Sequence, residues 1–169
     1  MILPQPPASM SGEALSTYSP INRILKPDFA KPMKPHFRLD NNVIIFSLFP
    51  GVREDLIRHI IHTPNLKSIV MRTFGSGNAP QSPWLLKALK EGTRNGKVIV
   101  NISQCMQGAV EMSRYDTGYH LQEAGVVSGY DSTVESAVTK LMFLQSHYDN
   151  PDKVREMMNR NIRGEISLL

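Results

Sequence analysis

Ser68-Ile69-Val70-Met71-Arg72-Thr73-Phe74-Gly75-Ser76-Gly77-Asn78-Ala79-Pro80 passes from a short apolar run, through a loop broken twice by glycine, towards the amphipathic segment Pro83-Trp84-Leu85-Leu86-Lys87-Ala88-Leu89-Lys90. The order is strand, loop, helix. In open parallel sheets, ligands bind at loops that leave the carboxyl ends of strands. Gly75 and Gly77 permit positive φ and close backbone approach, and Asn78 offers a donor and an acceptor on one short side chain. A glycine turn that only joins a strand to a helix has the same composition, so these residues alone leave both readings open.

The pattern repeats on either side. Val43-Ile44-Ile45-Phe46-Ser47-Leu48 is a continuous apolar run, as expected of a strand covered on both faces. After Pro50-Gly51, Val52 to Ile61 places Leu56, Ile57, Ile60 and Ile61 on one helical face. Pro83 to Arg94 predicts a second helix with Trp84, Leu85, Ala88 and Leu89 inward, closed by Asn95-Gly96. Strands are predicted at 68–71, 98–102 and 126–127, and a short helix at 117–124. Thr133 to His147 reads as a strong helix, with Asp131 or Ser132 as its N-cap and Glu135 in the first turn. Pro151 opens a last helix that runs to about Asn161. Strands alternating with helices imply a three-layer αβα domain around a small, four-stranded, mostly parallel sheet.

Seven of the twelve prolines fall in residues 1–35, and proline can neither continue a helix nor sit in a central strand. Residues 1–41 therefore read as a proline-rich arm or inter-domain linker, and residues 42–169 as the α/β domain. Of the 169 residues, 41% are hydrophobic and 20% charged, the composition of a soluble globular protein. The net charge of +4 is spread along the chain without a basic stripe, which argues against nucleic-acid binding. No apolar run is long enough to span a bilayer, and the start lacks the features of a signal peptide. Cys105 is the only cysteine, so no internal disulfide or structural zinc site is expected, and a cytoplasmic location is.

The three strand-end loops, 49–53, 72–80 and 103–116, would emerge on one sheet edge. Arg72, Thr73, Asn78, Ser103, Gln104, Cys105, Glu111, Tyr115 and Asp116 could then form one polar site. Arg72 could hold a carboxylate by two hydrogen bonds, or pair with a structural acid or a helix end. A catalytic Cys105 thiolate would need a nearby base. The nearest histidine in sequence is His120, on a predicted helix, so Cys105 reads as buried or site-lining. His59 and His62 share a helical face but have no carboxylate-rich partner and read as surface residues. The Met142 and Met157-Met158 positions read as core. No Gly-x-Ser-x-Gly, P-loop or nucleotide-binding glycine fingerprint occurs, so no complete catalytic set and no cofactor is indicated.

Taken together, Arg72 to Pro80, Ser103-Gln104-Cys105-Met106-Gln107-Gly108, Tyr115-Asp116-Thr117-Gly118, Ala124 to Asp131 and Asn161-Ile162-Arg163-Gly164-Glu165 resemble the carboxyl-terminal domain of the L-asparaginases, the cytoplasmic type I branch in particular. The resemblance runs over roughly residues 40–166 in one order and weakens across the arm. It implies hydrolysis of L-asparagine to L-aspartate and ammonia by a threonine nucleophile in a Thr-Gly-Gly-Thr motif of an amino-terminal domain. Neither that motif nor the family's Thr-Asp pair occurs in this sequence, so the chain alone is expected to be inactive, whether a fragment or a free-standing relic. By the same resemblance, Asn78 and, less directly, Tyr115 would help hold substrate in a neighbouring subunit. Arg72 and Cys105 would match a regulatory asparagine site, with Arg72 on the effector carboxylate. The family assembles as a dimer or a dimer of dimers. A stand-alone amino-acid-binding or assembly module is the alternative. Leu56, Trp84 and the methionines of the last helix would then leave apolar surface where a missing domain packed, and the domain would self-associate.

Overall fold

The computed structural model describes residues 32, 34–105, 108–112 and 116–167. Within them run β1 (Val43–Ser47), α1 (Glu54–Ile61), β2 (Ser68–Thr73), α2 (Pro83–Arg94), β3 (Val98–Ser103), α3 (Asp116–Glu123), β4 (Val127–Ser128), α4 (Val134–His147) and α5 (Pro151–Met158). The four strands form one sheet in the order β1-β2-β3-β4, and every pair is parallel. Each connection steps one strand in the same direction. Crossovers of one hand then place α1, α2 and α3 on the same face. α4 and α5 cover the other.

Strand pleating divides the core between these two layers. Ile69, Met71 and Ile99 pack with Ile57 and Ile61 of α1, Leu85, Ala88 and Leu89 of α2, and Leu121 of α3. Val70, Val98, Val100 and Ile102 pack with Ala137, Leu141 and Leu144 of α4 and Val154 and Met158 of α5. Covering on both faces explains why β2 and β3 read as continuous apolar runs rather than alternating ones. Among the described residues no helix is long and apolar enough to cross a membrane.

The element order agrees with the sequence reading, and the differences have local causes. Strands β2 and β3 extend to Thr73 and Ser103, so residues expected in loops belong to the sheet. Thr133 caps α4 by accepting from the Ser136 amide at 3.2 Å. Asp131 and Ser132, the expected caps, bond instead to the carboxyl-terminal segment: Asp131 Oδ1 accepts from the Ser167 amide at 2.7 Å, and the Ser132 hydroxyl donates to the Glu165 carbonyl at 3.4 Å. Helix α5 stops at Met158, short of Asn161. Asn161 starts a separate turn there, accepting from the Gly164 amide at 2.6 Å and donating to the Ile166 carbonyl at 2.6 Å. Leu56 does not share the burial of Ile57 and Ile61 on its helix and is 48% exposed, which agrees with the apolar surface expected at this position. Met158 is buried, so of the last-helix methionines only the half-buried Met157 leaves any surface.

One buried charge was not anticipated. Lys140 of α4, its side chain 5% exposed, donates to Glu165 Oε1 at 2.6 Å and to the Met158 carbonyl at 3.0 Å. The carboxyl-terminal segment is thereby tied to α4. At the other end, residues 38–42 run along α4 and into β1. Asp40 pairs with Lys67 at 2.7 Å, Gln145 Nε2 donates to the Asp40 carbonyl at 2.6 Å, and the Ser146 hydroxyl donates to the Arg38 carbonyl at 2.8 Å. Residues 1–31 of the arm lie outside the described residues.

Candidate functional site

The carboxyl ends of β2 and β3 are level, with Met71 opposite Asn101 and Thr73 opposite Ser103. The chain leaves β2 into a tight loop. The Phe74 amide donates to the Asn78 carbonyl at 2.9 Å, and the Phe74 carbonyl accepts from the amides of Gly77 at 3.0 Å and Asn78 at 2.8 Å. This closure needs positive φ at Gly75 (50°) and Gly77 (102°). Gly77 is also a close approach: a Cβ there would lie 2.7 Å from Val110 Cγ1 and 3.2 Å from Asn101 Nδ2.

Three carbonyls of the loop are held from the next strand and the segment after it. The Ser103 hydroxyl donates to the Gly75 carbonyl at 2.6 Å, the Glu111 amide to Ser76 at 3.1 Å, and Asn101 Nδ2 to Gly77 at 3.0 Å. The Thr73 hydroxyl donates to Asn101 Oδ1 at 2.6 Å, which fixes the orientation of that amide. Thr73 and Asn101 are both fully buried. Gln104 joins all three strand ends. Its amide donates to the Thr73 carbonyl at 2.8 Å, and its Nε2 donates to the carbonyls of Leu48 at 2.6 Å and Arg72 at 3.0 Å.

The expected single polar site is split by the pleat of β2. Thr73, Asn101, Ser103 and the loop lie towards α1–α3. The half-buried Arg72 points to the α4 side, where its Nη1 lies 3.5 Å from the Ser47 hydroxyl. Among the described residues no carboxylate pairs with Arg72, and its Nε is buried without a hydrogen-bond partner. Cys105, beyond the end of β3, is exposed rather than buried, and its amide donates to the Ser103 hydroxyl at 2.9 Å. His120 pairs with Glu123 on α3 at 3.3 Å, and among the described residues no hydrogen bond joins it to Cys105. His59 and His62 are exposed, as read from sequence. Tyr115 lies outside the described residues.

Sequence reasoning missed Asn101. Its signal was a lone amide within Val98-Ile99-Val100-Asn101-Ile102, a run otherwise wholly apolar. A buried amide in such a strand requires partners, and the loop carbonyl and the Thr73 hydroxyl supply them.

Residues 42–158 match the family model of the glutaminase/asparaginase C-terminal domain. The chain belongs to that family. It is 40% identical over 123 residues to L-asparaginase 1 of Escherichia coli K12, covering 73% of this chain and 36% of the relative. It is 39% identical over 150 residues to the human 60 kDa lysophospholipase, covering 87% of this chain and 26% of that one. The crystal structure of L-asparaginase I from Vibrio cholerae superposes with a TM-score of 0.72 at 39% identity, over 76% of this chain and 38% of that chain. The asparaginase resemblance seen in the sequence motifs is thus borne out, as is the α/β fold it implied. The chain spans little more than a third of the Escherichia coli and Vibrio cholerae asparaginases.

Proposed function

We propose that this domain serves an L-asparaginase, hydrolysing the side-chain amide of L-asparagine to L-aspartate and ammonia, and that its part is to complete the substrate site of a neighbouring subunit. The observation that carries the reading is the loop 74–78. It is closed on itself, pinned from behind, and presents Asn78 at the carboxyl edge of a parallel sheet. Asn78 is assigned to the substrate's charged groups, with Tyr115 as a second contact. The relatives named L-asparaginase support the substrate class, and the human relative's name points to a different one. On this reading the enzyme is a cytoplasmic homo-oligomer, residues 1–41 link the domain to an amino-terminal catalytic domain, and residues 42–169 form the domain itself. The alignment to the human relative supports the linker. It covers 87% of the chain, whereas residues 42–169 make up only about three quarters, so it extends into the arm.

One observation favours a second role, binding of an amino acid by this domain itself. Arg72 is half-buried, carries an unpartnered Nε and has no acidic partner among the described residues. A ligand carboxylate would supply what it lacks. Arg72 is accordingly assigned to the carboxylate of an asparagine effector, with Cys105 added on the family resemblance alone, and on this reading the enzyme is allosteric.

The test replaces the aligned domain of Escherichia coli L-asparaginase 1 with residues 42–169. The 169-residue chain alone releases no ammonia from asparagine. The chimera does, and Asn78→Ala lowers its kcat/KM by roughly ten- to a hundred-fold, the loss of a hydrogen bond to a charged group. A folded chimera without activity, or one indifferent to Asn78→Ala, refutes the reading.

A further inference from the structure

We infer that Asn101, oriented by Thr73, is a positioning residue for Asn78, holding the loop in its binding-ready shape before any ligand arrives. The inference rests on the substrate role given to Asn78 above and adds the device that sets its place.

The argument starts from what the core does not need. Asn101 is 0% exposed in a strand whose neighbours Val100 and Ile102 are also fully buried. A buried amide brings desolvation without apolar gain, so packing alone favours an apolar residue there. The amide instead makes two bonds that reach beyond its own strand. Its oxygen accepts from Thr73, the last residue of β2, and its nitrogen donates to the carbonyl of Gly77, directly before Asn78. The Thr73 hydroxyl has one proton. Its acceptors are Asn101 Oδ1 at 2.6 Å and the Ile102 carbonyl at 3.3 Å, and the shorter contact decides the direction. With the amide oxygen engaged, Nδ2 faces the loop.

The remaining contacts act in the same sense. Gly75, Ser76 and Gly77 each give a carbonyl to the segment from Asn101 to Glu111, so three successive peptide groups are fixed against one neighbour. Val110 closes the other side of Gly77. A loop held at three successive carbonyls loses little further entropy when a ligand binds, which is how rigid second-layer contacts raise affinity.

The test uses the 169-residue chain and amide hydrogen exchange read by NMR. In Asn101→Ala, the amides of Gly77 and Asn78 exchange at least roughly ten-fold faster, whereas Ile69 and Ile99 keep their protection. Because Asn101→Ala could unsettle the strand, the deciding pair is Thr73→Val and Thr73→Ser. Valine matches threonine in shape and lacks the hydroxyl, so it loosens the loop. Serine keeps the hydroxyl and restores protection, a rescue that packing does not predict. Unchanged loop exchange in Thr73→Val, or equal loosening in both Thr73 variants, overturns the inference. Failure of the substrate reading shows elsewhere, as an asparaginase chimera indifferent to Asn78→Ala.

Discussion

Gly77→Ala should be among the most damaging single-methyl additions in this domain, for two separable reasons. The backbone at Gly77 has φ +102°, which L-residues disfavour by about 1–2 kcal/mol. The new Cβ would also lie 2.7 Å from Val110 Cγ1, well inside normal contact. Forcing a methyl into a packed site typically adds about 1–3 kcal/mol. The sum is about 2–5 kcal/mol, and each kcal/mol lowers Tm by about 2–4 °C for a protein of this size. Gly51→Ala is the control. Its φ is +88° and nothing lies within 4 Å of its Cβ position, so it carries the backbone penalty alone. Calorimetry or urea unfolding on both variants isolates the clash by difference. A double-mutant cycle with Val110→Ala checks the assignment, because shortening Val110 removes the atom that the new Cβ meets. The two substitutions should couple favourably by about 1–3 kcal/mol. Equal losses for Gly77→Ala and Gly51→Ala, or an additive cycle, would refute the close-approach argument.

Other perturbations read different parts of the structure. Lys140→Met leaves the partly buried Glu165 without its cation and should destabilise the domain by about 1–3 kcal/mol in urea unfolding. Acid should loosen both ends of the described chain. The hydrogen bond from Lys67 holds the Asp40 carboxyl below its ordinary value against the opposing effect of burial. At Glu165 burial is the largest influence and pushes upwards, but the bonds from Lys140 and the amides of Arg163 and Ile162 outweigh it, and the net direction is down. Depressed carboxylates stabilise the fold above their unfolded values, about 3.9 and 4.3, and that contribution is lost as pH falls through the lower folded values. Hydrogen exchange below about pH 4 should therefore show residues 38–42 and 161–167 opening before β2 and β3. Millimolar asparagine should raise Tm in the wild-type chain and leave Arg72→Ala unmoved. No shift in the wild type would remove the effector assignment.

Most of the fold was legible because its signals are local. The apolar runs at 43–48, 68–71 and 98–102, the breaks at Pro50-Gly51 and Asn95-Gly96, and Pro151 as a helix start each depend on a few adjacent residues. The candidate site was legible as a loop but not as a geometry. Arg72 and Thr73 are neighbours in sequence and were expected to converge. Extension of β2 by two residues puts them on opposite faces, and strand length at its end is set by pairing with β3. The Lys140–Glu165 pair joins positions 25 residues apart and has no periodic signature. The caps of α4 were misplaced for the same reason. Asp131 and Ser132 have the right chemistry for a cap, but their partners come from the far end of the chain.

The pleat that separates Arg72 from Thr73 also bears on how two ligands could influence one another. The residue assigned to an effector and the residue that orients Asn101 share one peptide unit, and Gln104 bonds to both of their carbonyls. The Arg72 carbonyl also accepts from the Leu48 amide at 2.9 Å, so β1, β2 and the exit of β3 meet at this point. From there the route to Asn78 is short and made of buried hydrogen bonds: Thr73 to Asn101, and Asn101 to Gly77. A ligand carboxylate on Arg72 would act on the α4 face, while Asn78 is set from the α1–α3 face, so the two sites need not compete for space. Coupling between them requires only that the end of β2 have two positions, each favoured differently by effector and substrate. The hydroxyl of Thr73 is the narrowest point on that route, because the Asn101 amide takes its direction from this one proton.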